Sequence, residues 1–103
     1  MSTKTDFINE VKQIFSKFKT PAIEYFDKID LESSKIVIDK FFESNKQMTG
    51  EESIEKLKQM TNEKEIVEII FFLSPMLFNP ITQMMLITSS KEVFIQMVKK
   101  LYF

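Results

Sequence analysis

Between Ile69 and Ser90 the chain runs for 22 residues without a charged side chain, and Pro75 and Pro80 stand inside that run. The run is long enough to cross a bilayer, which takes about 20 apolar residues. However, Ser74, Pro75, Asn79, Pro80, Thr82 and Gln83 would all fall near the bilayer centre. Each proline lacks a backbone N–H and restricts the residue before it, so each tends to end or kink a helix. The flanks also lack the Trp and Tyr of an interfacial belt. The pattern predicts two short helices with a turn between them, and their apolar surface must be buried in a core or covered by a partner.

The remaining segments carry the helical period. Phe7, Ile8, Val11, Ile14, Phe15 and Phe18 form one stripe at 3.6-residue spacing. Thr20-Pro21 reads as an N-cap followed by Pro at the first helical position, opening a helix with Ile23, Tyr25, Phe26 and Ile29. Asp30 to Ser34 reads as a connection, with Asp30 as a cap. Ile36, Val37, Phe41 and Phe42 begin a third stripe; KIVID has strand propensity but no hairpin signal or partner strand, so it is assigned to helix. Thr49 with Glu52 makes a capping box before a polar helix carrying Ile54, Leu57 and Met60. Asn62 with Glu65 repeats that spacing ahead of Ile66 to Leu73, a segment apolar almost all round and hence expected at the centre. Asn79-Pro80 starts another helix, and Ser89 with Glu92 caps a last one with Val93, Phe94, Met97, Val98, Leu101 and Tyr102 as its stripe. The fold class expected is all-α: a single domain over 1–103, a compact bundle of six or seven short helices with tight capped turns.

Composition narrows the function. The 103 residues include no cysteine, no histidine and one glycine. Disulfides, Cys/His zinc sites, iron–sulfur clusters, haem ligation by His or Cys and His-based triads are therefore impossible. A Gly-rich phosphate loop is impossible as well. All 14 basic residues are lysine and net charge is −1, with positive ends and a negative middle. A nucleic-acid binder would show a basic stripe, often with arginine, so none is expected as partner. The bias to Lys, Ile, Phe, Glu and Asn suits an A/T-rich genome. The N-terminus has no apolar signal region and reads as a structural first helix, which suggests an intracellular, cytoplasmic protein with an organelle left open.

Motifs with catalytic overtones are weak. Ser53 and Lys56 match a Ser-x-x-Lys pair, but on a charged helix and without its companion motifs. Asp27, Asp30 and Glu32 cluster without the spacing of a calcium loop. Glu51, Glu52 and Glu55 suit the first turns of a helix, where negative charge complements the macrodipole. Catalytic, cofactor and metal sites are thus all expected to be absent, and the protein is expected not to be an enzyme.

The segment NPITQMM, followed by a helix bearing Phe94 and Met97, resembles the Asn-Pro and Met-rich helices of co-chaperone domains of the stress-inducible type. The Asn-Pro pair that repeats in those domains occurs once here. On a helix starting at Pro80, Ile81, Met84, Met85 and Thr88 share one face while Leu86 and Ile87 point elsewhere. Methionine side chains are flexible and over-used on surfaces that accept helices. The expected function is a non-catalytic helical interaction module (an adaptor, inhibitor or assembly subunit) binding another protein or a second copy. The surface is the Met/Phe-rich region 66–87 plus the C-terminal helix: Phe72, Met76, Phe78, Ile81, Met84, Met85, Phe94 and Met97. The alternative is a small membrane-associated subunit with 69–87 inserted among partner helices.

Overall fold

A computed structural model describes residues 4–43 and 50–103. The helices are α1 (Lys4–Ser16), α2 (Ala22–Asp27), α3 (Leu31–Glu43), α4 (Gly50–Gln59), α5 (Glu63–Leu73), α6 (Pro80–Thr88) and α7 (Lys91–Tyr102), with a 3₁₀ turn at Ser74–Leu77 between α5 and α6. No strand occurs among the described residues. The Cα radius of gyration is 13.0 Å, the value of a compact domain of about 100 residues.

Burial explains why α5 sits at the centre. Ile66, Val67, Ile69, Ile70, Phe71 and Leu73 are all buried, and only Phe72 among the residues from 66 to 73 reaches solvent. Helices α2 and α3 pack directly on α5, while α1 is paired with α4 and α7. At about 1.5–3 kcal/mol per fully buried aliphatic or aromatic side chain, α5 alone supplies a large part of the apolar stabilisation. The predicted stripe of α1 is also inward: Phe7, Val11, Ile14 and Phe15 are buried, with Ile8 and Phe18 packed beside them. Phe15 lies edge-on to Phe26 and Tyr102, with ring centroids 6.0 and 5.7 Å apart, joining α1, α2 and α7 through aromatic rings.

Helix starts follow cap chemistry at three expected positions. The Asn62 side chain accepts the Glu65 N–H at 3.1 Å. Asn79 accepts the Thr82 N–H at 2.8 Å, with Pro80 as the first helical residue. Asp30 accepts the N–H of Glu32 at 3.0 Å and the hydroxyl of Ser33. The Glu32 N–H bond, followed by the Ser33 hydroxyl, holds the Asp30 carboxyl below its usual range.

Other boundaries differ from expectation. Helix α3 begins at Leu31, directly after its Asp30 cap, so residues 31–34 are helix and not connection. Helix α2 begins at Ala22, with Pro21 extended outside it and no side-chain cap. The reason is that the Lys19 and Thr20 N–H groups donate to Glu63, at 2.7 and 3.4 Å, and Tyr25 Oη donates to the same carboxylate at 2.8 Å. The Lys19 N–H bond holds the Glu63 carboxyl below its usual range, partial burial opposing it and the Tyr25 bond adding to it. That clamp ties the α1–α2 connection to the start of α5.

Ser90, not Ser89, caps α7, accepting the Val93 N–H at 3.4 Å, while the Ser89 hydroxyl closes α6 by donating to the Met85 carbonyl. The buried residues of α7 are Ile95, Val98 and Tyr102. Val93 faces solvent, so the stripe is rotated from the one expected. Ser74-Pro75 tightens the chain into the 3₁₀ turn without an open break. The box expected at Thr49 lies outside the described residues.

The inner end of α7 is fixed by a relay of hydroxyls. Tyr102 Oη and Ser74 Oγ are hydrogen-bonded, and Ser74 donates to the Ile70 carbonyl, so the tyrosine donates to the serine. Burial, opposed by the Ser74 bond, pushes the Tyr102 pKa up to about 12 from 10.0. The folded pKa exceeds the unfolded one, so the stabilisation is fully present below pH 10.0 and is lost as pH rises through about 12. We expect thermal stability to fall steeply across that window in the wild type and less steeply in Tyr102→Phe, which costs about 1 kcal/mol near neutral pH. Parallel pH profiles would show that Tyr102 ionisation is not linked to folding.

Candidate functional site

Helix α6 places most of its apolar side chains outside the core. Leu86 is its one buried residue. Opposite it, Ile81, Met84 and Met85 form an outward ridge at i, i+3 and i+4, and Ile87 flanks the ridge. Together with Phe72 and Met76 these side chains are between 50% and 79% exposed. Asn79 and Pro80 fix where α6 starts, and hence which residues face outward.

A groove of about 630 Å³ lies along another flank of α6, lined there by Gln83, Leu86 and Ile87 and not by Ile81, Met84 or Met85. Its walls are Leu31, Ile38, Phe71, Phe72, Pro75, Met76, Leu86, Ile87 and Phe94, drawn from α3, α5, the 3₁₀ turn, α6 and α7. Lys35 and Asp39, one turn apart on α3, stand on its border, and Gln83 and Ser34 are the uncharged polar residues lining it. The Gln83 amide is held by the Phe78 carbonyl at 2.8 Å.

Of the eight residues singled out from the sequence, the structure brings three into the groove. Phe72, Met76 and Phe94 line the groove, whereas Ile81, Met84 and Met85 are exposed on α6 and line none of it. Phe78 is not with them: it packs against the core, with the Lys4 ammonium 5.9 Å from its ring centre. Met97 is half-buried and does not line the groove. Sequence reasoning missed Leu31, Ile38 and Ile87. The excess of adjacent apolar residues in IVI, at positions 36–38, was the available signal, because a helix cannot bury three consecutive side chains on one face.

Residues of the motifs weighed in the sequence take structural roles here. The Lys56 ammonium donates to the Phe41 carbonyl at 3.2 Å and lies 4.8 Å from that ring centre, a structural tether between α4 and α3. Asp27 pairs with Lys99 at 2.7 Å while Asp30 caps α3, so the acidic cluster does not converge. Among the described residues no group of three or more His, Cys, Asp or Glu is placed to hold a metal ion. No helix among them is long and apolar enough to cross a membrane; residues 69–87 divide between α5, the 3₁₀ turn and α6. Family models, curated proteins and solved structures gave no match to the chain.

One buried polar pair adjoins the groove. Ser34 Oγ lies 2.6 Å from Glu68 Oε2 and 2.7 Å from the Asp30 carbonyl oxygen, and both Ser34 and Glu68 are buried. A hydroxyl has one proton, so Ser34 serves one of these acceptors at a time. A glutamine at 68 would supply the second proton, donating to Ser34 Oγ while Ser34 donates to Asp30. We expect Glu68→Gln to leave the melting temperature unchanged or raise it. Ser34→Ala, which removes a partner from a buried carboxyl, should cost about 1–3 kcal/mol. Equal losses from the two variants would reject this proton count.

Proposed function

We propose that the protein is a non-catalytic interaction module, an adaptor, inhibitor or assembly subunit, that engages a protein partner through the α6 ridge and the groove on another flank of that helix. The observation that carries this reading is the exposure of Phe72, Met76 and Ile87 on the walls of one apolar groove, with Ile81, Met84 and Met85 exposed on the same helix as Ile87. At about 200 Å² for a fully exposed side chain of this size, Phe72, Met76 and Ile87 present about 400 Å² of apolar surface on the groove walls, the size of the largest patch on a typical monomer, which is often functional. The four large apolar side chains exposed on α6 contribute little to the core, so folding alone does not account for them. Methionine at the centre suits a surface that adapts to its partner.

Two measurements test this. Because Met84 and Met85 are exposed, replacing both with Gln should cost under about 0.5 kcal/mol each. If they were buried, each amide would lose about 1–3 kcal/mol. A photo-reactive residue at Met84 should cross-link a defined protein in cells, whereas the same residue at exposed Lys12 on α1 should not, and the Gln pair should reduce capture. A large loss of melting temperature in the Gln variant would return these methionines to the core. Equal labelling from positions 84 and 12 would reject the patch as a specific contact.

A further inference from the structure

We infer that Met84 and Met85 on α6, with Met76 on the groove wall, are a reversible oxidation site, where hydrogen peroxide turns exposed apolar surface polar without disturbing the core. The inference rests on the contact-face reading above and adds how that contact is switched.

Sulfur chemistry is the first ground. The chain has seven methionines and no cysteine, so thioether is its only sulfur and no thiolate competes for the oxidant. Of the seven, Met60, Met76, Met84, Met85 and Met97 fall among the described residues, and their exposure separates them. Met76, Met84 and Met85 are 68%, 69% and 58% exposed, whereas Met60 packs against the core and Met97 is half-buried. Peroxide must reach the sulfur to attack it, so the first three are the reactive set.

Placement is the second. Leu86 alone anchors α6 by burial, and neither Met84 nor Met85 belongs to the core cluster. The ends of α6 are held through backbone groups. Asn79 accepts the Thr82 N–H, and the Thr88 and Ser89 hydroxyls donate to the Met84 and Met85 carbonyls. Oxygen added to a side-chain sulfur leaves each of these bonds in place. It does change the surface, because a sulfoxide is polar and must be desolvated wherever a partner would cover it.

The step is a two-electron transfer. A sulfur lone pair attacks one peroxide oxygen, the S–O bond forms and the O–O bond breaks. The departing hydroxide takes the proton of the transferred oxygen and leaves as water. Sulfur is oxidised and peroxide reduced. Return requires a methionine sulfoxide reductase and a dithiol, which becomes a disulfide while the oxygen leaves as water. With no cysteine in the chain, that dithiol comes from outside it.

The test treats the full chain with hydrogen peroxide and follows each methionine by peptide mapping and mass spectrometry. Met76, Met84 and Met85 should each gain one oxygen at least about twofold faster than Met60 and Met97. The melting temperature should be unchanged at that stage, and retention on a hydrophobic-interaction column should shorten. A photo-reactive residue at exposed Ile81 should then capture its partner about tenfold less well, and reductase with dithiothreitol should restore capture. A chain with Met76→Leu, Met84→Leu and Met85→Leu should keep both its retention and its capture under the same peroxide.

Oxidation of Met60 or Met97 at the same rate would remove the selectivity and overturn the inference. A fall in melting temperature would show damage to the fold in place of a change of surface, and failure of the reductase would show an end product in place of a switch. Undiminished capture by the fully oxidised chain would also overturn it. If the untreated chain captures no defined protein, the contact-face reading falls, while the oxidation map and the column retention still decide the oxidation site.

Discussion

Burial of α5 on nearly every side is the constraint on which the other helices depend. A helix of 11 residues with one solvent-facing side chain in its last two turns must be enclosed. The chain encloses it with α2 and α3 directly and with the 3₁₀ turn at its end. Beside the buried Glu68–Ser34 bond to α3, polar tethers stand at both ends of α5. Glu63 at its start gathers the α1–α2 connection, and Ser74 just past its end receives Tyr102 from α7. Loss of either tether would loosen an attached element while leaving the apolar packing of α5 in place.

That enclosure leaves α6 outside. Once Leu86 has docked, the remaining apolar residues of α6 have no inner surface to meet, because α5 is already covered. Pro80 and the Asn79 cap nevertheless hold α6 in register, so its exposed row is a defined surface and not a frayed end. A short, well-capped helix with an apolar outer face costs the monomer an unfavourable patch of surface. Coverage by a partner would offset that cost, which is the basis of the proposed function.

Much of this fold was legible in the sequence because it is written in local rules. The α1 stripe, the Asn62 and Asn79 caps and the central place of residues 66–73 follow from periodicity and cap chemistry alone. The errors arose where a distant residue decided the local outcome. Thr20 did not cap α2, because the backbone around it was already committed to Glu63, 43 positions away. Ser89 and Ser90 are equally good caps by type, and only the turn closing α6 selects between them. The ridge was readable from Pro80 and the 3.6-residue period. The groove was not, since Leu31, Ile38 and Phe94 reach it from helices whose mutual packing no local pattern encodes.

The division between an enclosed α5 and an uncovered α6 is the central claim, and hydrogen exchange read along the chain at low protein concentration tests it most directly. Amides of residues 66–73 should exchange only through global unfolding. Those of residues 80–88 should exchange orders of magnitude faster, through local opening of a helix anchored by one buried side chain. Their protection should then rise when a partner covers the face. Equal protection of the two segments in the isolated monomer would place α6 in the core and contradict the account.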